Sequence, residues 1–473
     1  MHALRVLAID LGASNGRGII GHFDGSTLTL TQAHRFANKI IQVRGSYFWD
    51  ILHLYNETLN AIQKAVSLSR EPIVSIAIDG WAQDFGLLDE GGNLLGNVHA
   101  YRDPRTVGLK ERFAASMPDG AFYAHTGLKL GDIMSLFQLM SMQEREKAAY
   151  DAAAAFLFVP DLIQFFLTGE ISCNITLAAL SGLLDIHGRV WSESILQRAS
   201  LKHMFPPLSK TGQKIGKIRV EGLEALQSEV ISIAAHDTMS AMAFIPERDE
   251  RTIIVSSGTW SVVGHTLTAP DIRLSAMNMD LMNEVGFDED LFLLKNLTGL
   301  WIEQELTRQW ETDRTALDAL RQAAQRSDYQ GLFDTQAPEF AMPGRMEQKI
   351  TGALSKGGHS LPSDRAGFCR CVLHSLAHQY RNEILGFETL GNATFEKICV
   401  VGGGSQNALL NQLTANICGK PVLAGPAEAT AIGNIVGQLI ALGEIEDAGQ
   451  ARELVDRSFE RASFLPKGER TWR

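Results

Sequence analysis

The sequence predicts an α/β protein whose two similarly built domains face a central cleft. A strand, a turn of small residues and a second strand occur near residue 10 and again near residue 257. Each such hairpin is followed by another buried strand and by helical segments. The chain has 473 residues, 45 % of them apolar. A chain of this size forms about two to four domains with substantial cores.

The first hairpin contains "LAIDLGASNGRGIIG", residues 7–21, in which Gly12, Ser14 and Gly16 match the G-x-S-x-G pattern of a nucleophilic serine. A nucleophile elbow joins a strand to a helix, whereas this turn has a predicted strand on each side. A hairpin tip made of small residues exposes backbone N–H groups and lets a phosphate approach them. The stretch therefore indicates a phosphate-binding loop, and a serine hydrolase that uses Ser14 is the disfavoured alternative.

The other elements follow a similar order in the two halves. In the first half, "VSIAIDGWAQDFGLLDEGGNLLGNVHAYRD" predicts a buried strand and then a hairpin with "DEGGN" at its tip. In the second half, "FEKICVVGGGSQNALLNQLTANICGKPVLAG" predicts a buried strand, a glycine turn, an amphipathic helix and a short strand. Apolar stretches near residues 160 and 380 predict helices. A charged segment at 243–252 marks the boundary, which gives domains 1–245 and 246–473.

Composition excludes several classes of protein. The chain has 43 basic and 54 acidic residues, a net charge of −11, so it has no excess positive charge for nucleic acid. No apolar run reaches the length of about 18 residues that spans a membrane, and the N-terminus does not resemble a signal peptide. We therefore expect a cytoplasmic protein without nucleic-acid or membrane partners. The five cysteines predict reduced, mostly buried thiols, since Cys369 and Cys371 lack a second pair that would complete a metal site.

Two Gly-rich hairpins can hold the phosphates of a nucleotide between their backbone N–H groups. A Walker A loop is excluded, because Gly419-Lys420 is followed by Pro421. Asp10 ends the first strand beside the loop and is a candidate for holding Mg²⁺ through water. Arg17 follows the loop and is a candidate for neutralising a transferring phosphoryl group. Taken singly, each is equally explained as a turn cap or a solvated strand residue.

Seven motifs occur along nearly the whole chain in one order: "IDLGASNGR", "YRDPRT", "PDLIQFFLTGE", "AAHDTMSA", "SSGTWSVVG", "LLKNLTGLWIEQE" and "VVGGGSQNALLNQL", the last followed by "GPAEATAIGNIVGQL". The ordered set resembles the FGGY family of carbohydrate kinases, and most closely its rhamnulokinase branch. This resemblance implies two actin-like ATPase (ribonuclease H-like) domains. It also implies an ATP- and Mg²⁺-dependent enzyme that transfers phosphate directly to O1 of a ketose.

The resemblance also implies roles for individual residues. Asp237, in "AAHDTMSA", matches the general base that accepts the proton of the sugar hydroxyl. From the residues alone, His236-Asp237 could equally be a helix N-cap. Asp10 matches the acid that organises the metal. Positions matching nucleotide contacts are Ala13, Ser14, Asn15, Gly16, Arg17, Gly258, Thr259, Gln304, Gly402 and Gly403. Positions matching sugar contacts are His236, Thr238 and Asn296.

The departures from the family pattern fall near the expected sugar site. "DGWAQDF" stands where the branch carries "DTWGVDF", so Ala82 replaces a substrate-contacting glycine and Gln83 adds a polar amide. Ala82 narrows the pocket, and the Gln83 amide needs a hydrogen-bond partner, either a sugar hydroxyl or solvent. The segments "GDIMSLFQL" and "CNITLAALSGLLD" also differ, which indicates a reshaped lid or sugar pocket, or neutral change. Among the tryptophans, Trp49 is the best candidate to face the cleft, whereas Trp81, Trp260 and Trp301 are expected mainly in the core.

The resulting hypothesis is a kinase that converts L-rhamnulose to L-rhamnulose 1-phosphate, as a monomer or homodimer. The main alternative is a kinase of the same family for another ketose: L-fuculose, a ketopentose, L-erythrulose or apulose. A nucleotide-gated binding protein of the same fold is disfavoured, since a nucleotide switch needs no base on its sugar side. We also expect the domains to close on substrate and exclude water, so that sugar and nucleotide bind with positive coupling.

Overall fold

The structure is a computed structural model that describes residues 4–69, 71–223 and 226–467. Within these residues the strands, numbered β1 to β22 in chain order, are Leu4–Leu11, Asn15–Phe23, Leu28–Ala37, Ile40–Val43, Ser46–Trp49, Ile73–Gly80, Phe85–Leu88, Val98–His99, Ala155–Phe158, Cys173–Asn174, Leu184–Asp185, Val190–Trp191, Leu208–Ser209, Lys214–Lys217, Glu229–Ile231, Thr252–Ser257, Trp260–Leu267, Met282–Val285, Leu291–Thr298, Lys397–Val401, Val422–Ala424 and Ala462–Phe464.

In the same residues the α-helices, numbered α1 to α17, are Ile51–Leu68, Leu109–Ala114, Asp119–Thr126, Ser135–Arg145, Lys147–Ala152, Val159–Thr168, Ile175–Ala178, Glu193–Arg198, Asp237–Ala243, Leu274–Asn278, Trp301–Gln309, Arg314–Arg326, Met346–Lys356, Arg365–Gly391, Ala408–Cys418, Ala429–Ala441 and Ala448–Ser458. Short 3₁₀ segments occur at Pro104–Thr106, Phe287–Glu289, Pro338–Ala341 and Gly403–Gln406. No helix of the described chain is both long and apolar enough to cross a membrane.

The chain divides into two compact units. Unit 1 comprises the residues up to Pro246 together with Thr266–Leu293 and Thr430–Ser458, and unit 2 comprises the other segments. The first change of unit, after Pro246, falls one residue from the boundary expected at 245. Two later segments return to unit 1, so the units are not simply consecutive halves of the chain. A local change in composition marks a boundary but gives no sign that distant segments return to the first unit.

The main sheet of unit 1 has the strand order β14–β15–β6–β1–β2–β3. β1 pairs antiparallel with β2 and parallel with β6, so the predicted first hairpin is confirmed. Helix α1 covers this sheet with the buried stripe Ile51, Leu54, Thr58, Ala61, Ile62 and Ala65, which has helical spacing. A Cβ on Gly18 of β2 would lie 2.7 Å from Cβ of Ala61. Glycine therefore lets the helix approach the strand closely.

The second main sheet has seven strands in the order β18–β19–β17–β16–β20–β21–β22, and the six from β19 onward repeat this plan. β16 pairs antiparallel with β17 and parallel with β20, and β21 is parallel to β20 and antiparallel to β22. In unit 1, β15 is likewise parallel to β6 and antiparallel to β14. The two sheets thus repeat one order of strand pairing, as the repeated hairpins indicated, although β14 precedes β15 in the chain whereas β22 follows β21.

Most predicted elements are present, with local differences. The strand, glycine turn, helix and strand expected near residue 400 are β20, the 3₁₀ turn at Gly403–Gln406, α15 and β21, and the helix near residue 380 is α14. The apolar stretch near residue 160 is helical only from Val159, because Ala155–Phe158 forms β9, which pairs with β7. At the "DEGGN" turn, Asp89 N–H donates to Asn93 O, but β7 meets the returning chain only at Leu94 and Leu95.

Candidate active site

The first hairpin tip, between β1 and β2, has the geometry expected of an anion-binding loop. Gly12 N–H donates to Asn15 O at 3.0 Å, and a Cβ on Gly12 would lie 2.6 Å from that same oxygen. Ser14 is exposed on the tip between two strands, so the serine-hydrolase alternative is not supported. Within the described chain, the N–H groups of Ala13 and Ser14 have no protein acceptor. The tip can therefore offer free donors to an anion.

Asn38, which the sequence analysis did not identify as a site residue, donates hydrogen bonds to two carbonyl groups of this loop. Its backbone N–H donates to Ser14 O at 3.1 Å, and its side-chain Nδ2 donates to Gly12 O at 3.0 Å. The side chain is buried. Both loop carbonyls are thus bound to one residue. Gly16, at the base of the tip, lies where a Cβ would enter the ring of Phe36, so this position also requires glycine.

Asp10 and Arg17 face each other across the same hairpin. They are register partners in the β1–β2 pair, and Arg17 Nη2 lies 2.5 Å from Asp10 Oδ2. Asp10 is 6 % exposed. Arg17 is therefore an ion-pair partner of Asp10 here, rather than the solvated strand residue of the alternative interpretation.

A second carboxylate, Asp79, lies on the neighbouring strand and was missed as a site residue. It is the register partner of Asp10 across the parallel β1–β6 pair and is fully buried. Asn434 Nδ2 donates to Asp79 Oδ2 at 2.6 Å, while Asp79 Oδ1 has no hydrogen-bond partner in the described chain. Burial, and then the charge of Asp10, raise the pKa of Asp79 well above its ordinary value. An acid near the end of each of two buried strands, in "LAIDLG" and "SIAIDG", was the available signal.

His236 and Asp237 lie beside the end of β6. Gly80 forms a parallel bridge with His236, and the His236 backbone N–H donates to Thr176 Oγ1 at 3.0 Å. Asp237 begins helix α9, with His236 as the N-cap residue. The Asp237 side chain is 34 % exposed, and Thr238 Oγ1 donates to its Oδ1 at 3.2 Å. Asp237 is thus anchored at a strand end with its carboxylate open to a ligand.

Glu284 supplies the partner of the His236 ring. Its Oε2 lies 2.9 Å from His236 Nδ1, while His236 Nε2 lies 3.5 Å from Asp237 Oδ1. Burial acts to lower the pKa of His236, but the charge and hydrogen bond of Glu284, then the charge of Asp237, raise it overall. Glu284 comes from strand β18, 48 positions further along the chain, and nothing in the local sequence pattern indicates this pairing.

The three stretches that depart from the family pattern are hydrogen-bonded to one another. Gln83 has a left-handed backbone conformation, φ 82°. Its Nε2 donates to Leu180 O at 2.8 Å, and its Oε1 accepts from Ser135 N–H at 3.1 Å. Its carbonyl accepts from Ser135 Oγ at 2.7 Å and from Gln138 Nε2 at 3.3 Å. The Gln83 amide is therefore engaged by protein backbone, rather than pointing to solvent.

The residues flanking Gln83 are buried. Ala82 is 8 % exposed, and Asp84 accepts hydrogen bonds from the indole N–H of Trp49 at 2.6 Å and of Trp81 at 2.8 Å. Burial raises the pKa of Asp84 to about 6. Trp49 is 2 % exposed, so the prediction that it faces a cleft is wrong, because its indole pairs with a buried carboxylate.

In unit 2, the second hairpin tip rests on the start of helix α11. Leu300 N–H donates to Gly258 O at 2.9 Å, and Trp301 N–H donates to Thr259 O at 3.1 Å. Thr259 Oγ1 also donates to Gln304 Oε1 at 3.2 Å. Two predicted nucleotide positions that are 45 residues apart, Thr259 and Gln304, are therefore adjacent. Trp260, beside this tip, is 48 % exposed, unlike the core position expected for it.

The glycine turn after β20 lies against the same hairpin. Gly402 has φ 79°, and a Cβ there would lie 3.0 Å from Ser257 O, so the turn requires glycine. Gly403 is exposed at the start of the 3₁₀ turn, and Asn407 Oδ1 then caps α15 by accepting from Leu410 N–H. Asn296 is an exposed position on β19. Unit 2 thus carries Asn296 and the nucleotide positions from Gly258 onward, and unit 1 carries the other predicted site residues.

Family models and proteins of known name match almost the whole chain. Residues 5–243 match the N-terminal domain, and residues 253–442 the C-terminal domain, of the FGGY family of carbohydrate kinases. The chain is 36 % identical over 471 residues to a rhamnulokinase of Bacteroides thetaiotaomicron, covering 98 % of this chain and 96 % of that protein. It is 32 % identical over 464 residues to a rhamnulokinase of Bacillus subtilis, covering 97 % and 95 %.

Two solved structures show the same fold at low sequence identity. One is a gluconate kinase from Lactobacillus acidophilus, with a TM-score of 0.81 at 15 % identity, covering 98 % of this chain and 94 % of that one. The other is a Plasmodium falciparum glycerol kinase with ADP, with a TM-score of 0.80 at 15 % identity and the same coverage. The fold is therefore the two-domain α/β fold of actin-like ATPases, as the sequence predicted. Together with the family-model matches, these findings show that the chain belongs to the FGGY family of carbohydrate kinases and is a sugar kinase.

Proposed function

We propose that this sugar kinase transfers the γ-phosphoryl group of ATP to O1 of a ketose, most specifically L-rhamnulose, with Asp237 as the general base. The observation that carries the proposal is the Asp237 carboxylate, held at the end of β6 yet open to a ligand, beside a histidine whose other side is fixed by Glu284. The two rhamnulokinase relatives support the choice of sugar.

In the proposed reaction, Asp237 accepts the proton of the O1 hydroxyl as O1 bonds to the γ-phosphorus. The bond between that phosphorus and the β,γ-bridging oxygen breaks, and ADP leaves with the bonding electrons. General-base assistance of this kind contributes about 10²- to 10⁴-fold to the rate. His236 and Thr238, which flank Asp237, are proposed to hydrogen-bond sugar hydroxyls. Asn296, exposed on β19, is a third proposed sugar contact.

The phosphate groups are assigned to the two hairpin tips. The free N–H groups of Ala13 and Ser14 suit phosphate oxygens, and Asn15, Gly16 and Arg17 complete the first loop. Gly258 and Thr259 form the second loop. We assign Gln304, Gly402 and Gly403 to the nucleotide as well, because Gln304 adjoins Thr259 and the glycine turn lies against Ser257.

Asp10 suits Mg²⁺ bound through water. Magnesium keeps several waters and takes one or two carboxylates plus substrate phosphates, and Asp10 lies beside the first phosphate loop. No group of three or more His, Cys, Asp or Glu able to hold an ion occurs in the described residues. When bound, Mg²⁺ would neutralise charge on the β- and γ-phosphates.

The second candidate function is phosphorylation of a different ketose. The stretch Ala82–Asp84 supports this candidate, because it departs from the rhamnulokinase pattern. Ala82 replaces a glycine of the rhamnulokinase pattern, and one added methyl group in a pocket changes selectivity by about 10- to 200-fold. We propose Ala82 as a sugar contact and Gln83 as part of the same sugar-binding loop. The Gln83 amide is bound by backbone, so its effect on the sugar is expected to come from the shape of that loop.

The deciding experiment couples ADP release to a panel of ketoses at saturating Mg²⁺-ATP. The panel contains L-rhamnulose, L-fuculose, L-ribulose, D-ribulose, L-xylulose, D-xylulose, L-erythrulose and apulose. A tenfold or greater preference in kcat/KM for L-rhamnulose supports the assignment, and an equal preference for a shorter or branched ketose supports the second candidate. Turnover of ATP that depends on none of them contradicts both.

The role of Asp237 is tested by Asp237→Asn, which should lower kcat by at least about 10²-fold while nucleotide affinity is retained. Asp119→Asn is the matched control, since Asp119 is likewise the first residue of its helix, α3. An Asp237→Asn enzyme with the parental kcat would overturn the assignment of the base.

A further inference from the structure

We propose that Glu284 is a positioning residue of the sugar site, which orients the His236 ring so that its Nε2 edge points to the place where the ketose hydroxyls bind. This inference rests on the proposed function, since it names a residue that prepares the same site. Glu284 lies outside every motif that carries the family resemblance, and its side chain is 2 % exposed. It therefore acts on the substrate only through His236.

The contacts of the imidazole determine how the ring presents its protons. Nδ1 lies 2.9 Å from Glu284 Oε2, which is hydrogen-bond distance and fixes this edge of the ring against Glu284. The remaining nitrogen, Nε2, lies 3.5 Å from Asp237 Oδ1, beyond the usual range of a strong hydrogen bond. The carboxylate of Asp237 and Nε2 of His236 are thus close, but they do not form a strong hydrogen bond with each other.

Two carboxylates favour a protonated ring. Glu284 of β18 and Asp237 of α9 are the titratable groups that face His236 in the described part of the chain, and both are acidic. A second proton on Nε2 makes that nitrogen a donor. The site then combines a carboxylate that accepts the O1 proton with an N–H that donates to a neighbouring sugar oxygen. A neutral ring protonated only on Nδ1 would instead present a lone pair to the sugar.

Hydrogen bonds hold the backbone at His236 and at the residue beside Glu284. The His236 backbone is fixed by Thr176 Oγ1 and by the bridge to Gly80. Beside Glu284, Asn283 donates from its backbone N–H and its Nδ2 to Gly127 O, at 2.9 and 3.1 Å. The ring therefore has fixed attachments on its backbone side and its Nδ1 side. Only the Nε2 edge is left to meet a ligand.

Three variants test the proposal. Glu284→Gln keeps an oxygen acceptor for Nδ1–H but removes the charge, and Glu284→Ala removes both. Glu289→Gln is the matched control, because Glu289 follows in the same segment but pairs with Arg189 and Lys210 instead. The first readout is the ¹⁵N-detected titration of the His236 imidazole in the ligand-free protein, assigned with His236→Asn. The second is KM for the best ketose and KM for ATP, each measured from pH 6 to 9.

In the parent we expect the His236 ring to lose its second proton at a higher pH than in Glu284→Gln. In Glu284→Gln the pKa of His236 should fall, because the charge that raises it is removed, and the ketose KM should rise at least fivefold, with the ATP KM changed less than twofold. Glu289→Gln should match the parent in both readouts. A parental ketose KM in Glu284→Gln overturns the inference even if the titration shifts, because the pair would then be only structural.

Failure of the proposed function gives a different result. If the parent phosphorylates no ketose, the proposed function is contradicted. Ketose binding followed by His236 chemical shifts then still tests Glu284, and a ketose that does not perturb the His236 ring signals overturns the inference. If Glu284→Ala does not fold, Glu284→Gln alone supplies the test.

Discussion

The side-chain amide of Asn434 donates a hydrogen bond of 2.6 Å to the buried carboxyl group of Asp79, although the two residues are 355 positions apart. Asn434 also donates to Ala77 O, and Gln438 Nε2 donates both to Asn434 Oδ1 and to Leu7 O. Helix α16 is thus attached to β1 and β6 at the strands that carry Asp10 and Asp79. Substitutions at this attachment should alter the stability of unit 1.

The first prediction concerns the pH dependence that Asp79 imposes on stability. Because burial raises the pKa of Asp79, its contribution to stability is present below the unfolded pKa of about 4 and is lost as pH rises toward the folded pKa. Asp79→Asn is neutral at every pH. The free energy of unfolding of the variant, minus that of the parent, should therefore increase from pH 4 to pH 8 in urea titrations.

Asp89→Asn is a control of opposite sign for this experiment. Hydrogen bonds from Asn93 and Gly91 lower the pKa of Asp89 on an exposed turn. Its contribution is present above the unfolded pKa and is lost as pH falls through the folded one. The free energy of unfolding of this variant, minus that of the parent, should therefore fall as pH rises through the acid range to the unfolded pKa of about 4, and should change little above it. A difference for Asp79→Asn that does not change with pH would contradict the first prediction.

The second prediction concerns the attachment of the first phosphate loop. Asn38→Ala removes the hydrogen bond to Gly12 O and leaves the backbone bond to Ser14 O, so the loop should lose part of its order. We expect the KM for ATP to rise severalfold, with a loss of about 1 kcal/mol in stability. Steady-state kinetics and thermal unfolding measure the two effects. Asn93→Ala, which removes amide hydrogen bonds on an exposed turn, should leave the KM for ATP unchanged.

The third prediction concerns Gln83. Gln83→Met keeps the side-chain size but removes the bonds to Leu180 O and Ser135 N–H, and so releases the loop of Ala82. The ketose KM should rise at least fivefold, and the ratios of kcat/KM between different ketoses should become smaller. The ATP KM should be unchanged. Gln143→Met loses a comparable bond to Ser200 O and should have parental kinetics. An unchanged sugar preference in Gln83→Met would show that the three linked segments do not shape the sugar site.

The fourth prediction concerns the close packing of helix α16. A Cβ on Gly433 would lie 1.8 Å from Ser240 O, so Gly433→Ala should destabilise unit 1 by about 1 to 3 kcal/mol despite the better helix propensity of alanine. Gly352→Ala in α13 is the control: its Cβ meets nothing within 4 Å, and the variant should gain up to about 1 kcal/mol. Chemical denaturation of both variants measures the difference. A Gly433→Ala variant as stable as the parent would exclude close packing at this position.

The sequence contained the elements whose signals are local. Alternating buried residues and small-residue turns predicted both hairpins, and the tip at Ser14 was correctly distinguished from a nucleophile elbow because strands flank it on both sides. The same local signals predicted the glycine turn at Gly402 and helix α15. Asp10, Arg17 and Asp237 were singled out from motifs a few residues long. Their catalytic and binding roles remain predictions to be tested by the variants described above.

The tertiary structure alone decided which distant residues meet. Asp79 is buried beside Asp10 only because β6 pairs with β1, Glu284 reaches His236 from another strand, and Asn38 reaches back to the phosphate loop. The Gln83 amide found backbone partners rather than solvent, and Trp49 turned out to be a core residue paired with Asp84. Local propensity and periodicity determine strands, turns and helices. Long-range hydrogen bonds and buried charges depend on which segments pack together, and a single sequence does not encode that packing in any local pattern.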